Sequence, residues 1–141
     1  MTEAEEARAE YAAMGLVSPF ESAREGVEQA TLFNWAAMQS GKYPELHLMF
    51  HIPNGGKRSK AEAGRFKAEG VKAGVPDICL PVPRGGKHGL WIELKKEKGG
   101  QASPQQRHWI AQLKQQGYRA EVCHGWRAAS EVIKEYLDDK E

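Results

Sequence analysis

The sequence predicts an α/β fold in which a mixed four-stranded sheet is flanked by helices on both faces. Two short runs with alternating apolar residues, 77–82 and 89–95, flank a turn-rich segment, and this pattern predicts a pair of antiparallel strands. A helix that begins after Ser103 and a strand at 118–123 follow. This strand, helix, strand series implies a parallel crossover beside the antiparallel pair.

Residues 1–20 are expected to form an N-terminal extension, and residues 21–141 the folded domain. Residues 1–14 are rich in alanine and glutamate but carry little apolar stripe, so we expect a loosely docked helix or a frayed end. The other predicted elements are, in order, a helix at 22–39, a strand at 46–52, a short helix at 59–71, the strand pair, the helix after Ser103, the strand at 118–123 and a helix at 126–137.

Composition limits the classes of protein to which the chain can belong. Its 141 residues are enough to bury the core of one domain. The net charge of +1 says little, because an acidic N-terminus offsets the basic segments 57–72 and 84–98. Local basic patches therefore decide whether a polyanion can dock. The sequence has no apolar run of membrane-spanning length and no secretion signal, so we expect a soluble cytoplasmic protein.

The predicted strand pair gathers three charged side chains on one face of the sheet. Successive side chains of a strand point to opposite faces, so burial of the aliphatic rows sends Asp77, Glu93 and Lys95 to the other side. If the turn closes near Gly85-Gly86, Asp77 lies opposite Lys95 and diagonal to Glu93. The Cβ atoms of these neighbours are then about 5–8 Å apart. Two carboxylates this close repel each other, and Mg²⁺ or Mn²⁺ would relieve that repulsion. The aliphatic rows are Ile78, Leu80 and Val82 on one strand and Leu90, Ile92 and Leu94 on the other.

The pair Pro76-Asp77, followed by an apolar connection and Glu93-Leu94-Lys95, resembles the motif of the PD-(D/E)xK nuclease superfamily. Three surrounding features are similar to its VRR-NUC branch and extend the resemblance over residues 25–137. They are an asparagine-glycine segment at 51–56, a serine-led helix that starts Ser103-Pro104-Gln105-Gln106, and the early acidic residue Glu28. The resemblance implies a restriction-endonuclease-like core, and the expected topology depends more on it than on periodicity.

The resemblance also implies a metal centre. Asp77, Glu93 and the backbone carbonyl of Leu94 would be ligands of Mg²⁺ or Mn²⁺, and Glu28 would reach the metal directly or through water. Lys95 would orient the attacking water or stabilise the transition state. As a surface ion pair, Glu93 and Lys95 would contribute only about 0–1 kcal/mol. That alternative does not explain Asp77 on the same face.

Two of the candidate catalytic residues also have a structural interpretation. Glu28 shares a largely apolar helix face with Leu32 and Trp35, where it is either an ion-paired glutamate at the helix rim or an acid close to the metal. Gln106 falls three residues after Ser103, which is the spacing of a capping box. The same side chain is aimed at the sheet edge, so it is either a cap or a positioning group in the active site.

Polar and basic side chains near the predicted site are candidates for nucleic-acid binding. The loop at 53–60 can seat phosphates through its amides and cations, although a solvated turn is the commoner fate of such a sequence. The basic residues of the following helix form either a solvated face or a phosphate track. The candidates are Asn54, Lys57, Arg58, Lys60, Arg65, Lys72, Arg84 and Lys87.

These expectations lead to a Mg²⁺- or Mn²⁺-dependent DNA endonuclease specific for branched or structured DNA. A homodimer that cuts four-way (Holliday) junctions is the most specific version, because two-fold paired sites match paired strands. A nicking or single-strand nuclease is a simpler version. The alternative from another class is a catalytically silent module that binds branched DNA or RNA. The intact set of Asp77, Glu93 and Lys95 argues against that alternative.

Overall fold

A computed structural model of the protein describes residues 25–53 and 59–139, together with Glu6, Ala9, Glu10 and Ala13. Apart from those four, the predicted extension at 1–20 lies outside the described residues, as does the loop at 54–58. The elements are α1 (Glu25–Gln39), a 3₁₀ helix (Pro44–Leu48), β1 (Phe50–His51), α2 (Lys60–Ala68), β2 (Ile78–Leu80), β3 (Leu90–Lys95), α3 (Pro104–Gln115), β4 (Arg119–His124) and α4 (Trp126–Asp138).

The four strands form one mixed sheet in the order β1-β2-β3-β4. The first two neighbouring pairs are antiparallel, and β3 pairs with β4 in parallel. The helix α3 connects the two parallel strands, as the strand, helix, strand series predicts. The α/β class and the mixed sheet are therefore confirmed. None of the described helices is long and apolar enough to cross a membrane.

The predicted first strand at 46–52 is wrong in most of its length. Pro44 starts a 3₁₀ helix that runs to Leu48, and β1 keeps only Phe50–His51. Leu46 and Met49 are buried while Leu48 and Phe50 are exposed. This spacing of three between buried residues fits a turn of 3₁₀ helix better than the alternation of a strand.

The register of β2 and β3 differs from the expected one. Ile78 pairs with Ile92, so the next position along the ladder sets Asp77 opposite Glu93 rather than opposite Lys95. The turn does close at Gly85-Gly86, where both residues have the positive φ that a two-residue hairpin loop of type I′ requires. Residues 81–83 on one arm face residues 88–89 on the other. The first arm thus has one residue more than the second, and this extra residue shifts the partner of Asp77 along β3 to Glu93.

The main core lies between one face of the sheet and the helices α1 and α4. Those two helices pack against each other and against β3. Among the described residues, α3 supplies none of this cluster and packs against β4 instead. The opposite face of the sheet is therefore the one that carries Glu93 and Lys95. The largest completely buried apolar side chains of the core are Leu32, Ile78, Leu80, Leu90, Ile92, Leu94 and Ile133.

Candidate active site

Asp77 and Glu93 lie side by side at the end of the β2–β3 pair, and each carboxylate accepts a hydrogen bond from a backbone amide of the opposite arm. The amide of Leu94 donates to Oδ2 of Asp77 at 2.9 Å. The amide of Asp77 donates to Oε2 of Glu93 at 3.2 Å. Each carboxylate thus accepts a hydrogen bond from the backbone of the other strand. This arrangement holds the two acids together although they repel each other.

Glu93 is almost completely buried, with 1% of its surface exposed. Its Oε1 has no hydrogen-bond partner within the described part of the chain. The Lys95 ammonium lies 3.7 Å from that oxygen, which makes an ion pair but is too long for a hydrogen bond. Burial and the neighbouring Asp77 raise the pKa of Glu93 to about 8, and Lys95 opposes the shift only in part. The single positive charge of Lys95 therefore does not balance the two carboxyl groups of the site.

Lys95 lies on the same strand face as Glu93, two residues further along β3, and is buried. Its backbone carbonyl accepts a hydrogen bond of 2.8 Å from Gly125, which begins the turn between β4 and α4. Asp77, Glu93 and Lys95 are thus gathered as the alternation of the strands predicts.

The carbonyl of Leu94 points toward the same edge of β3 as the two carboxylates. In a strand, the amide and the carbonyl of one residue face the same neighbouring strand. The Leu94 amide bonds Asp77 on the β2 side, while the Lys95 carbonyl bonds Gly125 on the β4 side. The Leu94 carbonyl oxygen consequently faces the β2 side, where the carboxylates are.

His51, for which the sequence predicts a structural or hydrogen-bonding role, contacts the backbone of Asp77. Its Nδ1 lies 2.9 Å from the carbonyl oxygen of Asp77, which also accepts a hydrogen bond from the Ile52 amide at 2.6 Å. A carbonyl can only accept, so Nδ1 must carry the proton. The available signal was the position of His51 at the end of a strand beside the hairpin.

Glu28 contacts the start of α4 rather than the Asp77–Glu93 pair. It is buried in the first turns of α1, and its Oε2 accepts a hydrogen bond of 2.5 Å from the amide of Trp126 at the start of α4. Within residues 25–53 and 59–139, no three His, Cys, Asp or Glu side chains form a group that could hold a metal ion. The ligand role of Glu28 stays a prediction, and its observed contact is a helix cap.

Gln106 forms the capping box that its spacing predicts. Its backbone amide donates to Oγ of Ser103 at 3.1 Å, and its side-chain oxygen accepts from the Ser103 amide at 2.8 Å. The structural alternative for Gln106 is therefore realised. A further role for its side-chain NH₂ group in the site stays a prediction.

The predicted nucleic-acid contacts fall into three groups. Lys60, Arg65 and Lys72 lie exposed on or just after α2. Arg84 and Lys87 lie at the hairpin turn, at the other end of β2 from Asp77, and Arg84 pairs with Glu45 at 2.6 Å. The structure does not bring these two to the carboxylates. The third group, Asn54, Lys57 and Arg58, lies outside the described residues.

The mixed sheet and the paired carboxylates on its second face define a restriction-endonuclease-like α/β domain. The family model of the VRR-NUC domain matches residues 23–127, and the chain belongs to this family. A solved structure described as a "VRR_NUC domain protein" is 35% identical in sequence, has a TM-score of 0.73, and covers 86% of this chain and 96% of its own. No curated protein matches the chain.

The match confirms the resemblance on which the sequence analysis depends. VRR-NUC is a nuclease family, so the domain is of the nuclease type and nucleic acid is its class of partner.

Proposed function

We propose that this protein is a Mg²⁺- or Mn²⁺-dependent DNA endonuclease whose active site is the Asp77–Glu93–Lys95 cluster. The observation that carries the proposal is the buried Oε1 of Glu93, which lacks a hydrogen bond among the described residues. Burying a carboxylate without a partner is unfavourable. A site that keeps such a group beside a second carboxylate is suited to a bound cation.

The residues present fit a hard divalent cation. Asp77, Glu93 and the Leu94 carbonyl would hold it, because Mg²⁺ and Mn²⁺ prefer oxygen ligands. Oδ2 of Asp77 already accepts the Leu94 amide, which fixes the orientation of this carboxylate. When bound, the cation would lower the pKa of a bound water and neutralise charge on the phosphate. Glu28 is proposed to reach the cation directly or through water, and Gln106 is proposed as a positioning group.

Lys95 would act on the reacting groups through its ammonium. It is held beside Glu93 on a regular strand, so its position is fixed before the substrate arrives. From there it would orient the attacking water or donate a hydrogen bond to the charged oxygens of the transition state. Preorganised donors of this kind are among the larger contributors to catalysis.

The finer part of the proposal concerns the substrate. We propose that the enzyme is specific for DNA structure, with four-way junctions as the first substrate to test and a homodimer as the active form. The basic segment at 60–72, which ends five residues before Asp77, supports contacts with the DNA backbone, and such contacts do not depend on base sequence. The homodimer is proposed from the match between two-fold paired sites and paired strands.

The test uses wild-type protein and Asp77→Asn on junction, flap and linear DNA, each with and without Mg²⁺. Asn keeps a side-chain oxygen that can accept the Leu94 amide, so the fold should be preserved. We expect metal-dependent cleavage by the wild type and a loss of at least about a hundredfold in the variant. Glu131→Gln, an exposed carboxylate on α4, is the matched control.

Wild-type activity in Asp77→Asn would contradict the proposed site. Binding of every substrate without cleavage by the wild type would favour the catalytically silent module instead.

A further inference from the structure

A groove separates α2 from the start of α3, on the path that leads to Asp77. One cavity of about 640 Å³ is lined by Phe66 and Lys67 of α2 together with Lys72, Ala73 and Gln105. A second cavity of about 340 Å³ shares Ala73 and Gln105 and extends to Trp109. We call these two adjoining cavities the α2–α3 groove. Its size lies within the range of small-ligand sites.

The walls of the α2–α3 groove combine an aromatic ring with cations. Phe66 is half-buried, and the Arg65 guanidinium lies 5.2 Å from the centre of its ring. Lys67 and Lys72 line the same cavity and are exposed. The acidic residues of this segment, Glu62 and Glu69, are outnumbered by Lys60, Arg65, Lys67 and Lys72.

The α2–α3 groove is fixed in position relative to the carboxylates. Ala73 lies four residues before Asp77, so the chain between them spans at most about 14 Å. At a rise of about 3.4 Å per nucleotide, this is roughly four nucleotides of a strand.

Two contacts fasten the segment between the groove and Asp77. The Trp109 Nε1 donates to the Ala73 carbonyl at 3.1 Å. Gly74 has a φ of +90°, and a Cβ there would lie 2.8 Å from the Gln105 carbonyl carbon. Only glycine fits this close approach, so α3 is held against the segment that leads to the active site.

We propose that the α2–α3 groove binds an unpaired nucleotide of the substrate strand close to the cleavage site. The base would stack on the Phe66 ring, and Lys67 and Lys72 would pair with the flanking phosphates. An aromatic side chain flanked by cations is the usual means of binding single strands. This inference rests on the proposed nuclease function and adds a second class of structured DNA to the four-way junctions proposed above, namely DNA with unpaired nucleotides beside the cut.

The test measures binding in EDTA, where cleavage cannot interfere. The probes are a duplex with a single-stranded flap that contains 2-aminopurine and a flap-free duplex of the same sequence. Phe66→Leu keeps an apolar side chain but removes the ring. We expect it to weaken flap binding by about five- to a hundredfold, to abolish the stacking-induced quenching of 2-aminopurine, and to leave duplex binding unchanged. Phe66→Trp should retain the quenching.

Two controls separate stacking from general effects. Met38→Ala removes an exposed apolar side chain at the end of α1, and Lys134→Ala removes a cation on α4; both should bind the flap like the wild type. Thermal melts establish that Phe66→Leu is folded.

Wild-type flap binding and quenching by Phe66→Leu would overturn the proposal. So would a Phe66→Leu change in self-association with unchanged DNA binding, because the groove would then be an interface between copies. Cleavage by the wild type in Mg²⁺ is scored separately. A failed nuclease proposal would appear as absent cleavage with the stacking signal intact, which would still support the groove.

Discussion

Glu93 is the residue whose protonation depends most on its surroundings in the candidate site. One of its oxygens accepts a hydrogen bond from a backbone amide, and the other has, among the described residues, only the Lys95 ammonium at 3.7 Å. In a buried setting, the attraction of one lysine does not offset both desolvation and a second carboxylate. Its pKa of about 8 expresses this balance. Below pH 8 the metal-free protein therefore favours the protonated form of Glu93, which must be ionised to serve as the metal ligand proposed above.

This pKa shift predicts how the stability of the metal-free protein depends on pH. The pKa of Glu93 is about 8 in the folded state against an ordinary 4.5, so the folded state retains a proton that the unfolded state has released. The stabilising contribution of this group is fully present below pH 4.5 and is lost as the pH rises through 8. We expect the free energy of unfolding in EDTA, measured with urea, to fall across that interval.

Substitution of Glu93 tests whether this residue causes the pH dependence of the free energy of unfolding. Glu93→Gln should abolish this part of the pH dependence and should be more stable than the wild type at pH 8, because a neutral amide replaces a buried charge. Glu131→Gln, on the surface, should keep the wild-type slope. Equal slopes for wild type and Glu93→Gln would show that another group is responsible.

At the level of single elements, α1 and α4 are connected by Glu28. The carboxylate accepts the Trp126 amide at the N-terminus of α4, where the helix dipole favours negative charge. The preceding Gly125 donates to Lys95, so this junction also fastens the end of β3. Glu28 can therefore affect the candidate active site through the position of β3.

A pair of variants separates the structural role of Glu28 from a catalytic one. Glu28→Ala should lower the free energy of unfolding by about 1.5–3 kcal/mol, because it removes a hydrogen bond to a charged group. Glu28→Gln keeps an oxygen for Trp126 and should lose less. Urea midpoints at unchanged m-value give the comparison. A Glu28→Ala protein as stable as the wild type would refute the capping role.

The sequence predicts which face of the hairpin each residue occupies but not how the strands pair. Side-chain alternation requires only the local period of two, so Asp77, Glu93 and Lys95 are correctly placed on one face. The pairing of Asp77 with Glu93 depends on the extra residue in the arm at 81–83. The cap made by Glu28 and the contact of His51 depend on long-range packing, which periodicity does not report.

Across the whole molecule, the two faces of the sheet have different roles. One face builds the core with α1 and α4, whereas the other carries the carboxylates and meets α3. The helix α2 carries basic side chains, although the net charge of the sequence is only +1. The core and the candidate active site thus lie on opposite faces of one sheet. Substitutions at the candidate active site therefore leave the main core unchanged.

The measurement that tests the central claim most directly is calorimetric titration of the protein with Mn²⁺ near pH 8, in buffers of different ionisation enthalpy. We expect binding by the wild type with release of protons, since a cation displaces the proton held by Glu93. Glu121→Gln, a strand carboxylate paired with Arg119, should bind equally. Asp77→Asn and Glu93→Gln should show no such binding; unchanged affinity and proton release in either variant would contradict the account.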